Sequence, residues 1–246
     1  MRANDKVLLF GGSGSLGSSI VKSKIFKNIK YPSSKELDLT KEKKLESYFK
    51  KNFSNIIIHS AGLSSMSDCE KNPLAAIQKN ILITSNIVNL IKKNKKIKLV
   101  FISTDGVYAG TKGNYSEKSN LKPYNFYCWT KFISENIVKF LDNYIIIRTR
   151  FFDKKKKFFK DSATDIFTSK VNVDEIPFFI EILLKKNFRG IINVGGKKIS
   201  DYNFNKKYII NLKKTKYRDI QKNINFKIAK NSSLNINKYK NLINKK

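Results

Sequence analysis

Short apolar segments and longer amphipathic segments alternate along most of the chain. Four apolar runs are typical of strands buried on both faces of a parallel sheet: Lys6 to Phe10, Asn55 to Ser60, Leu99 to Ser103 and Tyr144 to Arg148. Between them the pattern predicts three helices, at about Lys41 to Lys51 with Thr40 as N-cap, Pro73 to Lys93, and Asn125 to Leu141. The alternation predicts an α/β fold in which helices cover both faces of a doubly wound parallel sheet.

The pattern is less regular after Arg150. Phe151 to Lys170 is basic and aromatic, and Lys206 to Lys246 is rich in lysine and asparagine. Between these segments, Ile176 to Lys186 is predicted to be a helix and Gly190 to Val194 a strand. We expect the tail to be partly mobile, although its recurring apolar residues argue against full disorder.

A glycine-rich turn follows the first predicted strand and opens an apolar helix. Gly11, Gly14 and Gly17 have the spacing that allows a tight turn, close approach of the backbone to a pyrophosphate, and tight packing of helix against strand. The intervening Ser13, Ser15 and Leu16 are expected to contact the same cofactor. The sequence therefore predicts a Rossmann-type dinucleotide-binding domain over residues 1–150.

The segment near the second predicted strand bears on the choice of cofactor. An acidic residue that would bind a ribose 2′-hydroxyl is not evident there, and Tyr31 to Lys35 stands in its place. NADP(H) is therefore favoured, and NAD(H) is the alternative. Lys30 and Lys35 are candidate contacts for a 2′-phosphate, with ordinary surface lysines as an equal alternative.

Tyr127 and Lys131 are four residues apart on a predicted helix. Their side chains therefore share one face, where an ammonium would favour the ionised form of the phenol and lower its pKa. Such a pair is weak evidence alone, but Thr104 follows a predicted strand at the sheet edge where ligands bind in such folds. Together with the glycine turn, these residues predict a hydride-transfer enzyme with Tyr127 as the proton donor.

The chain has 50 Lys and Arg against 19 Asp and Glu, a formal net charge of +31. The lysines are spread through the chain, with denser clusters at Lys92 to Lys98, Lys154 to Lys157 and after Lys206, and no nucleic-acid-binding motif surrounds them. We therefore predict a solvated basic surface without a specific nucleic-acid partner. The two cysteines lack metal-ligand spacing, and neither a membrane span nor a signal peptide is evident, so we expect no metal and a cytoplasmic location.

The motifs resemble those of the extended short-chain dehydrogenase/reductase superfamily, and most closely the dTDP-4-dehydrorhamnose reductase family. The resemblance covers nearly the whole chain and is most specific before Arg150. It implies a small, reduced substrate-binding subdomain over residues 151–246, interleaved with the core. The motifs that carry it are the glycine turn, Leu37 to Thr40, Ser60 to Gly62, Asp68 to Glu70 with Asn80, Ser103 to Gly110, Tyr115 to Glu117, Pro123 to Lys131, Ile147 to Thr149, Val173 to Ile176, Gly190 to Gly195, and Asn231 to Asn235.

The resemblance also implies roles for individual residues. Tyr127 would protonate the carbonyl oxygen of the substrate, Lys131 would hold the nicotinamide ribose, and Thr104 would donate a hydrogen bond to the same carbonyl oxygen, with Asp105 beside it. The remaining cofactor contacts would be Asp38 and Leu39 at the adenine, with Ala61, Gly62 and Ser103 along the cofactor. A structural role is favoured for Asn80 and a packing role for His59 and for Trp129.

Two departures from the family pattern concern the substrate. The segment between Arg150 and Val173 is short, so part of the wall of a sugar-nucleotide pocket is expected to be missing or rebuilt. Gly106 replaces an aromatic residue that is common in the reductases, and it is not the glutamate that nucleotide-sugar dehydratases place there. A dehydratase is therefore disfavoured.

The resemblance predicts an NAD(P)H-dependent reductase of a nucleotide-activated keto sugar that serves surface polysaccharide synthesis. A nucleotide-sugar epimerase with tightly held NAD would use the same Thr104, Tyr127 and Lys131. A non-catalytic cofactor-binding regulatory protein is the third alternative, which the presence of all three residues disfavours. A homodimer is left open.

Overall fold

Six parallel strands form the central sheet of the computed structural model, which describes residues 5–155 and 160–244. Their order across the sheet is second, first, third, fourth, fifth and tenth strand along the chain. The chain winds outwards in both directions from the first strand, so the crevice at which ligands bind lies between the first and third strands. The strands are β1 Val7–Phe10, β2 Ile29–Lys30, β3 Ile56–His59, β4 Lys98–Thr104, β5 Tyr144–Thr149, β6 Phe151–Phe152, β7 Asp161–Ala163, β8 Phe167–Thr168, β9 Val171–Asn172, β10 Gly190–Asn193, β11 Ile199–Ser200 and β12 Lys213–Thr215.

Helices cover both faces of the sheet, which confirms the predicted fold class. The helices are α1 Ser15–Lys22, α2 Glu42–Lys51, α3 Met66–Lys71, α4 Pro73–Ala76, α5 Ile83–Ile91, α6 Phe126–Val138, α7 Ile176–Lys185, α8 Asp201–Asn205, α9 Tyr217–Lys222 and α10 Asn237–Asn244. Alternate residues of β1 enter two separate cores, since Leu9 packs with α1 and α7 while Leu8 packs with α2, α5 and α6. This period-two alternation fixes the register of the sheet.

The predicted helix from Pro73 to Lys93 is present, but it contains an irregular turn. A π-helical turn, Ile77–Leu82, joins the end of α4 at Ala76 to the start of α5 at Ile83, and it contains Asn80. By length and composition alone, Pro73–Ile91 is apolar enough to cross a membrane, with a mean hydropathy of 1.2. Its residues Ile83 and Ile87 are buried in the core, as expected of a central helix in such a fold.

The boundaries of the other predicted elements agree closely with the structure, with one exception near Thr40. The helix expected at Lys41 begins at Glu42, and its N-cap residue makes no capping hydrogen bond through its side chain. The Thr40 hydroxyl instead donates to Asp38 Oδ1 at 2.7 Å. The prediction of Thr40 as N-cap is therefore wrong, because a nearby carboxylate binds its hydroxyl.

The chain after Arg150 forms small strand pairs above the main sheet and then returns to it. β6 pairs with β9, β7 with β12 and β8 with β11, while α7 and β10 join the core of the main sheet. Much of the tail is ordered, because Leu234 and Tyr239 are buried. The domain boundary at residue 150 remains a prediction. The strand before it, β5, belongs to the main sheet, and the strand after it, β6, pairs with β9. The Lys154 to Lys157 cluster lies partly outside the described residues.

Candidate active site

The glycine turn forms an open helix N-terminus beside β3. Gly11 has a φ of +94°, and a Cβ atom there would lie 2.6 Å from the Ala61 nitrogen. A Cβ atom on Gly17 would collide with the Gly11 carbonyl oxygen, so only glycine permits this packing of α1 against the turn. α1 has no side-chain cap and no acidic residue in its first turn. Its first amide groups are therefore free to donate hydrogen bonds to an anion, such as the pyrophosphate of a dinucleotide.

Two adjoining grooves run from this turn along the carboxyl ends of the strands. Their volumes are about 370 and about 610 Å³. Apart from Lys30 and Lys35, the candidate contacts for a 2′-phosphate, every residue predicted to bind the cofactor lines one or both grooves: Gly11, Ser13, Gly14, Ser15, Leu16, Gly17, Asp38, Leu39, Ala61, Gly62, Ser103, Tyr127 and Lys131. Thr104 lines the smaller groove, beside Tyr127. The structure thus brings together residues that are far apart in sequence.

The larger groove, at the end away from Tyr127, has a polar wall. Asp38 accepts hydrogen bonds from the Thr40 hydroxyl and, at 3.0 Å, from the Thr40 amide. The bonds from Thr40 hold the pKa of Asp38 below its ordinary value, and the charge of Lys79 lowers it further. Lys79 lines this groove, as does Ser34. No sequence pattern predicted Lys79, which belongs to the π-helical turn.

The two lysines proposed for a 2′-phosphate do not line this groove. Lys30 donates through Nζ to Asn52 Oδ1 at 2.7 Å and lines a separate basic cleft below the sheet, with Lys6, Lys27, Lys50 and Lys51. Lys35 is exposed and is absent from the residues that line either groove. The surface-lysine alternative therefore describes both better.

Tyr127 and Thr104 place two hydroxyl groups on one wall of the smaller groove. Thr104 is buried, and its hydroxyl accepts a hydrogen bond from the Gly106 amide at 3.1 Å. Burial raises the pKa of the Tyr127 phenol above its ordinary value, and the nearby Cys128 and Asp105 raise it further, while a hydrogen bond with Thr104 acts in the opposite direction. The phenol is therefore protonated at neutral pH, as a proton donor must be.

Lys131 lies one helical turn beyond Tyr127, with its ammonium over the Phe101 ring at 3.9 Å from the ring centroid. Burial lowers its pKa to about 7, and the charge of Glu135 opposes this effect. Lys131 makes no side-chain hydrogen bond to any residue in the described part of the chain. The sequence predicted that Lys131 lowers the pKa of Tyr127, but in the structure that pKa is raised. Loss of solvation is the largest effect on the pKa of both groups.

Asn80 joins the π-helical turn to both sides of the groove. Its Oδ1 accepts from the Leu63 amide at 2.7 Å, and its Nδ2 donates to the Leu63 carbonyl at 3.0 Å and to Thr130 Oγ1 at 2.9 Å. Its carbonyl accepts from the Ser134 hydroxyl on α6. The side chain is thus used in fixing the loop after Gly62 and the helix that carries Tyr127, which supports the structural role favoured for it.

The two residues expected to serve packing behave differently. His59 is buried, its Nε2 lies 3.0 Å from Thr84 Oγ1, and burial lowers its pKa to about 3. A neutral, enclosed imidazole agrees with the packing role. Trp129 is 47% exposed and stacks on Phe126 with ring centroids 6.2 Å apart, so it lies on the surface of α6. In residues 5–155 and 160–244, no group of three or more His, Cys, Asp or Glu side chains could hold a metal ion.

Residues 5–170 match the family described as RmlD substrate binding domain. The chain belongs to this family. It is 35% identical over 107 residues to the GDP-L-colitose synthase of Yersinia pseudotuberculosis, an alignment that covers 42% of this chain and 34% of that protein. The chain spans about half or less of the length of the curated relatives that it matches.

Solved structures show the same fold over nearly the whole length. The dTDP-4-dehydrorhamnose reductase from Bacillus anthracis str. Ames, in complex with NADP, has a TM-score of 0.86 at 22% identity and covers 96% of this chain and 92% of its own. A hypothetical dTDP-4-dehydrorhamnose reductase from Sulfolobus tokodaii has a TM-score of 0.82 at 26% identity, with 96% and 94% covered. The resemblance drawn from the motifs is confirmed, together with the Rossmann-type fold.

A buried polar network in this RmlD-family chain was not anticipated from the sequence. Arg148 on β5 forms a two-pronged ion pair with Glu135 on α6, its Nη2 lying 2.6 Å from Glu135 Oε2. Ser103 donates to the same carboxylate at 2.5 Å, and Arg148 Nη1 donates to the Tyr108 hydroxyl at 2.8 Å. Tyr108 in turn donates to Asn193 Oδ1 on β10. The network holds β4, β5, β10 and α6 together directly behind the groove.

Asp105, predicted to contact substrate, is buried and pairs with a second arginine. Arg150 Nε lies 3.0 Å from Asp105 Oδ2 and 3.2 Å from Oδ1. Arg150 Nη2 donates to the Tyr124 hydroxyl at 3.3 Å. Asp105 itself does not line the groove, but it is connected to it through Arg150 and through the Thr104 hydroxyl, which donates to Asp105 Oδ1 at 3.2 Å. The sequence interpretation did not assign Arg150 to the site.

Proposed function

We propose that this protein is an NAD(P)H-dependent reductase of a nucleotide-activated keto sugar. One observation carries the proposal: the Tyr127 and Thr104 hydroxyls and Lys131 share the wall of a groove whose other end is an open helix N-terminus behind three glycines. Membership of the RmlD family supports the same reaction class. These side chains suit a carbonyl substrate that is bound next to a dinucleotide.

The residues have distinct roles in this proposal. The nicotinamide cofactor, when bound, supplies a hydride to the carbonyl carbon. Thr104 donates a hydrogen bond to the carbonyl oxygen and Tyr127 delivers its phenolic proton to that oxygen, so the negative charge that develops there is neutralised. Lys131 holds the nicotinamide ribose and, in its charged form, stabilises the phenolate left on Tyr127. The phenolate then regains a proton from solvent.

NADP(H) is the favoured cofactor and NAD(H) the alternative. Gly11, Gly14 and Gly17 would hold the pyrophosphate, and Leu39, Ala61 and Gly62 would line the rest, as would Ser13, Ser15, Leu16 and Ser103. Asp38 is the one acidic residue among those lining the larger groove in the described structure, and Thr40 already binds its carboxylate. A groove with Ser34 and Lys79 and without a free acid is compatible with a 2′-phosphate.

The proposed substrate is a nucleotide-linked 4-keto-6-deoxy sugar or a similar keto sugar, used in surface polysaccharide synthesis in the cytoplasm.

A homodimer is also proposed. It is supported by exposed apolar side chains on the helical segments next to α6, Leu74, Ile77 and Leu82, and by Trp129 on α6 itself. Sedimentation analysis of the purified protein tests the dimer, and a monomer at all concentrations would exclude it.

The deciding experiment is a turnover assay with NADPH or NADH and a panel of nucleotide-linked 4-keto sugars. We expect cofactor oxidation, measured at the nicotinamide absorbance, with formation of the corresponding hydroxy sugar. Absence of oxidation with every sugar tested would reject the reductase. Purified protein that retains nicotinamide and interconverts sugar epimers without net oxidation would identify the epimerase instead.

A further inference from the structure

Arg150 lies where the cofactor groove meets a second cavity. It lines the groove that contains Tyr127, and it also lines a neighbouring cavity of about 550 Å³ whose other lining residues, apart from Met66, all follow Arg150 in the chain. Met66 and Phe151 likewise line both spaces. A ligand that fills the cavity and reaches Tyr127 must therefore pass this arginine.

The guanidinium is held firmly but retains unused donors. Nε faces both Asp105 oxygens, and one Nη2 hydrogen faces the Tyr124 hydroxyl. A guanidinium has five N–H donors, and within residues 5–155 and 160–244 Nη1 makes no hydrogen bond. The side chain is 23% exposed, and Asp105 holds its pKa above the ordinary arginine value against the effect of burial. It is thus a fixed, permanently charged group with donors available to a ligand.

Gly106, the residue after Asp105, places no side chain beside the Asp105–Arg150 ion pair. A Cβ atom on Gly106 would collide with Cys128 Sγ and would lie 3.3 Å from the Tyr124 hydroxyl oxygen. No side chain can therefore enter from the position that follows Asp105. Cys128 and Tyr124 occupy that space.

The other charged groups of the cavity are engaged or distant from the reacting groups. Lys170 Nζ pairs with Asp201 at 2.9 Å, so its charge is neutralised locally. Asp161 lies on the exposed end of β7, and the Asp153 carboxylate accepts the Lys155 amide. Arg150 is the cation that lies on the Tyr127 side of the cavity and in the groove as well.

We propose that Arg150 binds an oxyanion of the substrate, with Asp105 and Tyr124 holding the guanidinium in place. The inference rests on the proposed function, since it takes the ligand to be a sugar nucleotide. Two parts of such a ligand carry this chemistry, a carboxylate on the sugar or the diphosphate. Arginine suits either, because its planar fork binds two oxygens at once.

Calorimetric titration with UDP-glucose and UDP-glucuronate, on protein saturated with NADP⁺, separates the two sources. The variants are Arg150→Gln, which removes the charge, and Arg150→Lys, which keeps the charge without the fork. Lys50→Gln, at an exposed lysine on α2, controls for the general effect of removing one positive charge from a strongly basic protein. If the sugar carboxylate is bound, wild type prefers UDP-glucuronate, and Arg150→Gln loses that preference by about ten-fold or more. If the diphosphate is bound, both ligands weaken by a similar factor.

Arg150→Lys is expected to lie between wild type and Arg150→Gln, and Lys50→Gln to match wild type. Because Arg150→Gln leaves Asp105 unpaired, the double variant Asp105→Asn/Arg150→Gln repeats the titration without that buried charge, and thermal melting confirms its folding. Affinities that stay within about two-fold of wild type in both variants would overturn the proposal. So would failure of both ligands to bind wild type at millimolar concentration. Turnover of keto sugars alone decides the proposed function, so the two failures are distinguishable.

Discussion

The cofactor groove and the neighbouring cavity are built in different ways. The groove is formed largely by backbone and small residues at the ends of β1, β3 and β4, with Gly11, Gly17 and Gly62 at closest approach. The described residues that line the cavity include no glycine, and they extend from Met66 to Ala229. The groove depends on where strands end, whereas the cavity depends on which side chains meet.

Under the proposed function, this difference separates recognition of the cofactor from recognition of the substrate. A backbone-built groove recognises features common to all dinucleotides, a pyrophosphate and two riboses. The cavity is held by contacts between segments far apart in sequence, such as Asn205 Nδ2 to Ser162 Oγ at 3.0 Å and the Tyr217 amide to Asp165 at 2.7 Å. If the sugar nucleotide binds in this cavity, as we propose, substrate choice depends on contacts that no local pattern encodes.

Tyr127→Phe is expected to have the largest effect on activity. It removes one hydroxyl from the groove without changing its shape, so kcat should fall by about 10² to 10⁴-fold while the affinity for NADPH stays unchanged. Steady-state kinetics and fluorescence titration of NADPH measure the two quantities. Tyr48→Phe, on α2, is the matched control and should retain full activity. Normal turnover in Tyr127→Phe would falsify the role of the phenol.

Arg148→Met tests the buried polar network that holds β4, β5, β10 and α6 together behind the groove. The substitution leaves the Glu135 carboxylate, which is fully buried, without its partner, and should lower the free energy of unfolding by about 3–5 kcal/mol. Urea unfolding measures the change. Arg189→Met, at an exposed arginine, should change it by less than about 0.5 kcal/mol. Equal stability of the two variants would show that the buried pair is dispensable.

Gly17→Ala and Gly14→Ala distinguish folding of the groove from ligand access to it. A methyl group on Gly17 meets the Gly11 carbonyl, so the free energy of unfolding should fall by about 1–3 kcal/mol. A methyl group on Gly14 has Gly11 O at 3.4 Å as its nearest neighbour and points to the open groove, so NADPH binding should weaken while stability changes little. Urea unfolding and NADPH titration measure both. Wild-type NADPH affinity in Gly14→Ala would contradict the placement of the pyrophosphate.

The sequence and the family resemblance together predicted most of the residues that line the groove, but not Lys79 and not the lining of the neighbouring cavity. Strand ends follow from apolar periodicity, and this periodicity predicts that Gly11, Ala61 and Thr104 lie at one edge of the sheet. The π-helical turn around Asn80 has no such signature, because it arises from contacts with Leu63 and Ser134. No local pattern predicts a role for Arg150, because its position depends on Asp105, 45 residues earlier in the chain. Assignment of the catalytic roles themselves remains a prediction.

Lys131→Met tests the cost of burying a charge in the groove, and its expected effect is a change in stability that depends on pH. The pKa of Lys131 is lowered from 10.5 to about 7 in the folded protein, so between these values the unfolded state holds a proton that the folded state lacks. Stability from this group therefore rises with pH through this window, and below about pH 7 the full penalty applies.

Lys131→Met removes this penalty and should be more stable than wild type near pH 6, with the difference closing as the pH approaches about 10. Urea unfolding at several pH values gives the difference directly, and groups that titrate in both proteins cancel. Lys92→Met, at an exposed lysine after α5, should show a difference that does not vary with pH. If the difference for Lys131→Met were equally independent of pH, the ammonium over Phe101 would be solvated, which would contradict the burial of Lys131 in the structure.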